Sequence, residues 1–205
     1  MRTIRTKLYK FSELNKEAKL KAVDWLRECN YKHGYSWQEE SYESLKAFCE
    51  LFNLKLKEAE FSEYASVDYR TGQIDDNILA LSGVRLRTYI VNNYYSTLYT
   101  RKGYQVKITR VNGDKVSITK YSQVFWEETS CPFTGYCFDD ILLYPIRQFL
   151  KVPAATVTQE DLLSHCIDSW VKAACEDCKD QNSYDYLAES IEANEYEFLK
   201  NGNRY

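Results

Sequence analysis

The chain reads as a single α+β domain over residues 1–205, with helices packed on a small, mainly antiparallel sheet. Three observations lead there. Apolar residues recur at helical spacing behind recognisable caps, notably Asn15 and the Thr158/Asp161 pair. Short segments such as LKLKEAEF alternate apolar with polar residues. Asn112-Gly113 separates two β-rich runs, the strongest short hairpin signal in the chain. With only seven Gly and three Pro in 205 residues, no stretch has linker composition. A chain of this length buries a core without needing a disulfide or a metal.

RTKLYKF at 5–11 predicts a short strand. Asn15 then caps a first helix that turns Ala18, Ala22, Val23, Trp25 and Leu26 inward. Ser36 and Glu39 are spaced as a capping box for a second helix, whose apolar face is Tyr42, Leu45, Cys49 and Phe52. The NYKHGY segment between them is read as a loop carrying a solvated His33. Residues 53–61 predict a half-buried strand, and ASVDYRTGQIDDN a second strand with a turn at Thr71-Gly72. SGVRLRTYIVNNYYSTLYTR has the β-branched and aromatic content of a strand. Yet Leu86, Tyr89, Ile90, Asn93, Tyr94, Thr97 and Leu98 fall at helical steps, and the helix is preferred. GYQVKITRV and DKVSITKYSQV supply the hairpin arms. Residues 138–150 predict a helix interrupted or entered at Pro145. A long helix follows from Thr158, its face traced by Leu162, His165, Cys166, Ser169, Trp170, Ala173 and Ala174. A helix near 184–193 and a terminal strand with an NGN turn complete the chain.

Charge is segregated. The net charge is −3, but residues 82–120 hold eight basic side chains opposed only by Asp114. Acidic residues dominate from Val157 onward. The basic block either complements the acidic ends within the fold, or forms a tyrosine-rich face for nucleotide or single-stranded nucleic acid. Arg85, Arg87, Tyr94, Tyr95, Arg101 and Lys102 are the candidates for that face. Arg85 and Arg87 point different ways if their segment is helical, and the helix dipole equally explains Arg101 and Lys102 at a helix end. A pI near 5.6 argues against general duplex binding.

Candidate chemistry concentrates between Cys131 and Cys178, which bracket five of the seven cysteines. Cys175 and Cys178 form a CxxC, but His165 lies about 15 Å away along the same helix and cannot share a metal with them. His165 and Cys166 are adjacent, so a helix directs them to different faces, unlike a thiol and its base. Asp139-Asp140 has the make-up of a carboxylate pair, and equally of an acidic first helical turn. No P-loop, GxGxxG, HExxH or GxSxG is present. The expectation is a chain with no catalytic residues, no metal and no cofactor; the alternative is a Cys/His metal-dependent enzyme, whose site would have to recruit Cys131 and Cys137 to the Cys175/Cys178 pair. Its N-terminus lacks a signal-peptide apolar run, and no stretch reaches membrane-span length, which predicts a cytoplasmic protein without a membrane partner.

Five segments together carry a resemblance: YKFSELNKEAKLKAVDWLRE, SGVRLRTYIVNNYYSTLY, CPFTGYCFDDILLYPIRQFLKVP, HCIDSWVKAACED and NEYEFLKNGNRY. In that order they resemble a family of small phage, prophage and mobile-element proteins, some labelled antitoxin of a toxin–antitoxin stability system. The resemblance implies a protein partner, either a toxin or a host defence effector. The 18 Tyr, 9 Phe and 4 Trp suit an interface, because such rings are half apolar and cheap to order. Asp177, Asp180, Asp185, Glu189 and Glu192 are the candidate acidic face toward that partner.

Overall fold

The computed structural model describes residues 6–109, 115–128 and 131–205; for 100–109 and 115–128 it describes the backbone alone, Ile118 excepted. Among the described residues the fold is mixed α+β, mostly helical, with three two-stranded antiparallel ladders. In chain order the elements are β1 (Tyr9–Lys10), α1 (Lys16–His33), α2 (Gln38–Leu51), β2 (Leu54–Glu60) and β3 (Ser66–Thr71). After them come α3 (Asp76–Leu79), α4 (Gly83–Leu98), β4 (Tyr99–Thr109) and β5 (Lys115–Glu128). The chain continues with α5 (Cys137–Lys151), α6 (Gln159–Gln181), α7 (Tyr184–Ala193) and β6 (Glu197–Phe198). The ladders are β1–β6, β2–β3 and β4–β5. The NG turn proposed for β4–β5 lies outside the described residues, while the arms pair from Tyr99↔Glu128 to Thr109↔Lys115.

Packing groups the residues into two compact units. The first comprises Met1–Tyr42, Glu58–Asp68 and Val171–Tyr205; the second, Glu43–Lys57 and Tyr69–Trp170.

In the first unit, Asn15 caps α1 by accepting from the Ala18 N–H at 2.9 Å. The helix buries Ala18, Ala22, Val23 and Leu26 against Leu187 and Ile191 of α7, together with Phe11, Leu14 and Phe198. Each of the larger side chains here contributes about 1.5–3 kcal/mol by leaving water. Helix α7 closes in a Schellman turn, with Tyr196 N–H on Ile191 O and Glu195 N–H on Glu192 O. Glu195 occupies the left-handed position, φ 51°, that glycine usually fills. The terminal arm then folds back, with Leu199 N–H donating to Asn203 O and Gly202 N–H to Leu199 O. Gly202, at φ 84°, lies so near α1 that a Cβ would stand 2.2 Å from the Ala18 carbonyl oxygen.

In the second unit, Leu45, Phe48 and Phe52 of α2 are buried with Leu86, Ile90 and Leu98 of α4. Helix α5 runs through Pro145 without a break. Asp139 is fully buried in its first turn and folds the preceding loop around itself. Its carboxylate accepts from the N–H groups of Phe133 (2.9 Å), Thr134 (2.8 Å) and Gly135 (3.3 Å), and from the Thr134 hydroxyl (2.8 Å). The buried carboxylate thus anchors the loop in front of the helix through charge-assisted bonds to its backbone. Asp140 instead pairs with the buried Arg147. The Thr158/Asp161 box forms as its spacing predicts, each side chain accepting from the other's backbone N–H.

Some expectations are corrected. Helix α2 begins at Gln38, not behind a Ser36 cap, because Trp37 takes a left-handed conformation (φ 64°) and Gln38 Oε1 accepts from Tyr35 N–H. His33 is the last residue of α1, although it is exposed as expected. His165 is exposed, and Leu163 and Ile167 take the buried positions beside Leu162, Cys166 and Trp170. Arg101 and Lys102 belong to β4 and not to a helix end, since α4 stops at Leu98. Their side chains lie outside the described residues.

Candidate functional site

The first unit contains an open cleft built by three separated pieces of chain. The end of α1 provides Asp24, Arg27, Glu28, Tyr31 and Lys32, which recur at steps of three and four and so share one side of the helix. Gly34, at φ 91°, ends the helix and donates its N–H to Asn30 O. Tyr35, Trp37 and the first turn of α2, with Glu39, Glu40 and Tyr42, form the next wall. The third wall is the segment 60–64, held by Tyr42: its hydroxyl accepts from Phe61 N–H at 3.0 Å and donates to Ala59 O at 3.2 Å.

Asn182 ties the floor together. Its amide donates to the Tyr35 hydroxyl at 2.9 Å and to Glu63 Oε1 at 2.6 Å. Its main-chain carbonyl accepts two bonds from the Arg27 guanidinium. Gln181 beside it clamps the backbone of Ser36 from both sides, accepting from the N–H and donating to the carbonyl. The result is two adjoining cavities of about 770 and 670 Å³, which share Tyr31, Lys32, Tyr35, Glu60 and Ser62.

Two properties distinguish the cleft. Three large rings stand in solvent on its walls: Tyr31 at 81 %, Trp37 at 65 % and Tyr64 at 85 % exposure. Clustered exposed aromatics mark interaction surfaces, whereas isolated ones do not. The second property is charge. Arg27 pairs with Asp24 and Lys32 with Glu28. Among the described residues no cation comes within ion-pair distance of Glu39, Glu40 or Glu60. Tyr35 reports the setting: burial raises its pKa, and the nearby Cys178 and Glu63 add to the rise against the opposing Asn182 bond.

The acidic residues singled out from the sequence all belong to this unit, at the end of α6 and along α7. Asp185, Glu189 and Glu192 are exposed and follow one stripe of α7 at steps of four and three. Asp180 is also exposed. Asp177 is different, since it is half-buried and accepts from Gln181 Nε2 at 2.7 Å, with burial raising its pKa.

The basic candidates are distributed over α4 and β4. Arg85 and Arg87 are both exposed, about 200° apart around the helix. Arg87 Nε donates to Leu150 O, satisfying a carbonyl in the last turn of α5. Tyr94 packs its ring 4.8 Å from Phe52, and burial raises its pKa. Tyr95 stacks on Tyr99 at 4.3 Å. The two candidate tyrosines are therefore engaged by neighbouring rings.

Cys166 is completely buried, with its thiol pKa raised by desolvation, and the adjacent His165 is exposed. Among the described residues no three His, Cys, Asp or Glu side chains are grouped to hold a metal. No helix of the described residues is long and apolar enough to cross a membrane.

The sequence points to none of Tyr31, Trp37, Tyr64, Glu40 and Glu60 as binding residues, and to Glu39 only as a capping-box partner. The available signal was the aromatic density of YKHGYSW, which places three rings within seven residues. Comparisons with protein families, with characterised proteins and with solved structures find no match to this chain.

Proposed function

We propose that this chain is a non-enzymatic binding protein of a phage or other mobile element. It neutralises a toxin or a host antiviral component by direct contact in the host cytoplasm. The observation that carries this reading is the set of exposed rings Tyr31, Trp37 and Tyr64 on one acid-rimmed cleft. Tyr and Trp dominate the energetics of protein interfaces, since each offers a large apolar area with few rotatable bonds. The resemblance to mobile-element proteins supplies the biological setting. The exposed acids Asp180, Asp185, Glu189 and Glu192 extend the negative potential around the same unit, which speeds and orients encounter with a basic target.

The test is capture of the target from element-bearing cells by the tagged chain, followed by reconstitution with the purified target. Trp37→Ala with Tyr64→Ala is expected to abolish the reconstituted complex and the neutralisation of the target's activity, with helicity unchanged. A target that stays bound and inhibited by the double variant refutes the reading.

A further inference from the structure

We infer that the cleft between Tyr31, Trp37 and Glu60 is a receptor for arginine and lysine side chains from an extended cationic segment of the protein partner. This rests on the protein-binding reading above and adds the chemistry that the site selects.

Charge complementarity identifies the occupant. Two of the cations that line the cleft, Arg27 and Lys32, each have an acidic partner one helical turn away, Asp24 and Glu28. Among the described residues Glu39, Glu40 and Glu60 have no ion-pair partner, and they share the lining of the larger cavity with Lys32 and His33. An anionic or apolar occupant would bring no charge to offset them, whereas a guanidinium or ammonium does.

The aromatic walls sharpen the selection. A cation attracts the negative face of an aromatic ring, and guanidinium, being planar and weakly hydrated, stacks on tryptophan and tyrosine more readily than ammonium does. A carboxylate beside the ring accepts two parallel bonds from the same guanidinium. Trp37, Tyr31 and the carboxylates of Glu39, Glu40 and Glu60 all line the same cavity, so a guanidinium entering it meets both kinds of group.

The backbone supports a dedicated use. Trp37 is a bulky residue at φ 64°, a conformation that such side chains rarely adopt. It is nevertheless held with most of its indole in solvent. Strain of this kind, with no burial in return, is characteristic of positions that serve a ligand. The cavity of about 770 Å³ is ample for the ends of two such side chains.

The experiment uses the purified full chain and a glycine–serine-flanked tetra-arginine peptide, with the matched citrulline peptide as its neutral isostere. Binding is followed by calorimetry at about 0.15 M salt, where weak surface attraction is largely screened. The arginine peptide is expected to bind at least tenfold more tightly than the citrulline peptide. Glu39→Gln with Glu60→Gln should erase most of that preference. The α7 control, Asp185→Asn with Glu189→Gln and Glu192→Gln, removes more charge and should leave it intact. Equal affinity for the two peptides overturns the inference. So does an α7 control as damaging as the cleft variant, or a chain that dimerises through the cleft and excludes the peptide.

The charge-only variants guard against misfolding, because all the substituted residues are surface carboxylates. The two readings separate cleanly. A chain that discriminates the peptides but inhibits no toxin or defence component keeps the site and refutes the function. A chain that inhibits its target without discriminating the peptides keeps the function and refutes the site.

Discussion

Gly202→Ala offers a quantitative check on how the C-terminal arm is held. At φ 84° an alanine meets the left-handed penalty of about 1–2 kcal/mol, offset by about 0.4–1 kcal/mol of lost freedom in the unfolded chain. That part of the cost, about 1 kcal/mol net, also applies to Gly135→Ala at φ 87°, where an added Cβ meets nothing within 4 Å. At Gly202 the same methyl stands 2.2 Å from Ala18 O and 2.9 Å from Ala18 C and Cα. Non-bonded carbon and oxygen keep roughly 3.3 Å apart. The obstructing atoms are helix backbone and do not move aside, so the arm must lift by about 1 Å.

Lifting strains the bonds that fold the arm, Gly202 N–H on Leu199 O and Leu199 N–H on Asn203 O, both 2.9 Å. It also draws the Arg204 guanidinium away from the rings of Tyr196 and Trp25. With about 1 kcal/mol for each bond and somewhat less for the cation–ring contact added to the dihedral part, Gly202→Ala is expected to cost about 3–4 kcal/mol in total. Urea titrations followed by circular dichroism and by tryptophan emission measure both variants. Costs for the two glycines within about 0.5 kcal/mol of each other would falsify the argument, because the dihedral penalty alone would then account for both.

Three further outcomes follow from the structure. Asp139→Asn replaces an oxygen facing several donors with an NH2 group, and should lower unfolding free energy by about 2–3 kcal/mol; a loss below about 1 kcal/mol in urea would contradict the role of Asp139 as the anchor of the loop. Glu195→Gly relieves a left-handed glutamate at the end of α7 and should raise stability by about 0.5 kcal/mol, visible as a higher melting temperature, with no rise counting against the turn. Burial, with the Asp180 charge nearby, raises the Asp177 pKa in the folded chain, so folding takes up a proton there and stability falls as pH rises through that raised value. Asp177→Asn should therefore be the more stable protein at neutral pH, with the gap closing below pH ~4, where the unfolded aspartate also protonates; a gap that widens on acidification reverses the sign and disproves it.

Local signals read well where local chemistry decides the structure. Asn15 and the Thr158/Asp161 box announce helix starts because their hydrogen bonds span only three residues. The 82–98 segment was readable as α4 despite its strand-like composition, since Leu86, Ile90 and Leu98 keep helical phase and are all buried. The Ser36 cap failed for a reason no spacing rule contains: the Ser36 backbone is clamped by Gln181, 145 residues away. His165 was misassigned because the buried side of α6 is centred on Leu162, Cys166 and Trp170 and widens toward Leu163 and Ile167. The cleft was hidden in the same way. Its walls come from residues 24–42 and 60–64 and its floor from Asn182, which only tertiary packing brings together.

The distribution of the seven thiols has a practical consequence. Cys137, at the start of α5, is the single exposed one; Cys29, Cys131 and Cys175 are half-buried, and Cys49, Cys166 and Cys178 are enclosed. Desolvation pushes Cys49 to about 11 and Cys178 to about 12, which leaves little thiolate at neutral pH to react. The native chain thus carries its own conjugation handle. A brief maleimide treatment is expected to modify Cys137 ahead of the half-buried Cys29, Cys131 and Cys175, so a dye or surface tether can be placed without removing any cysteine and binding recorded on the unmutated molecule.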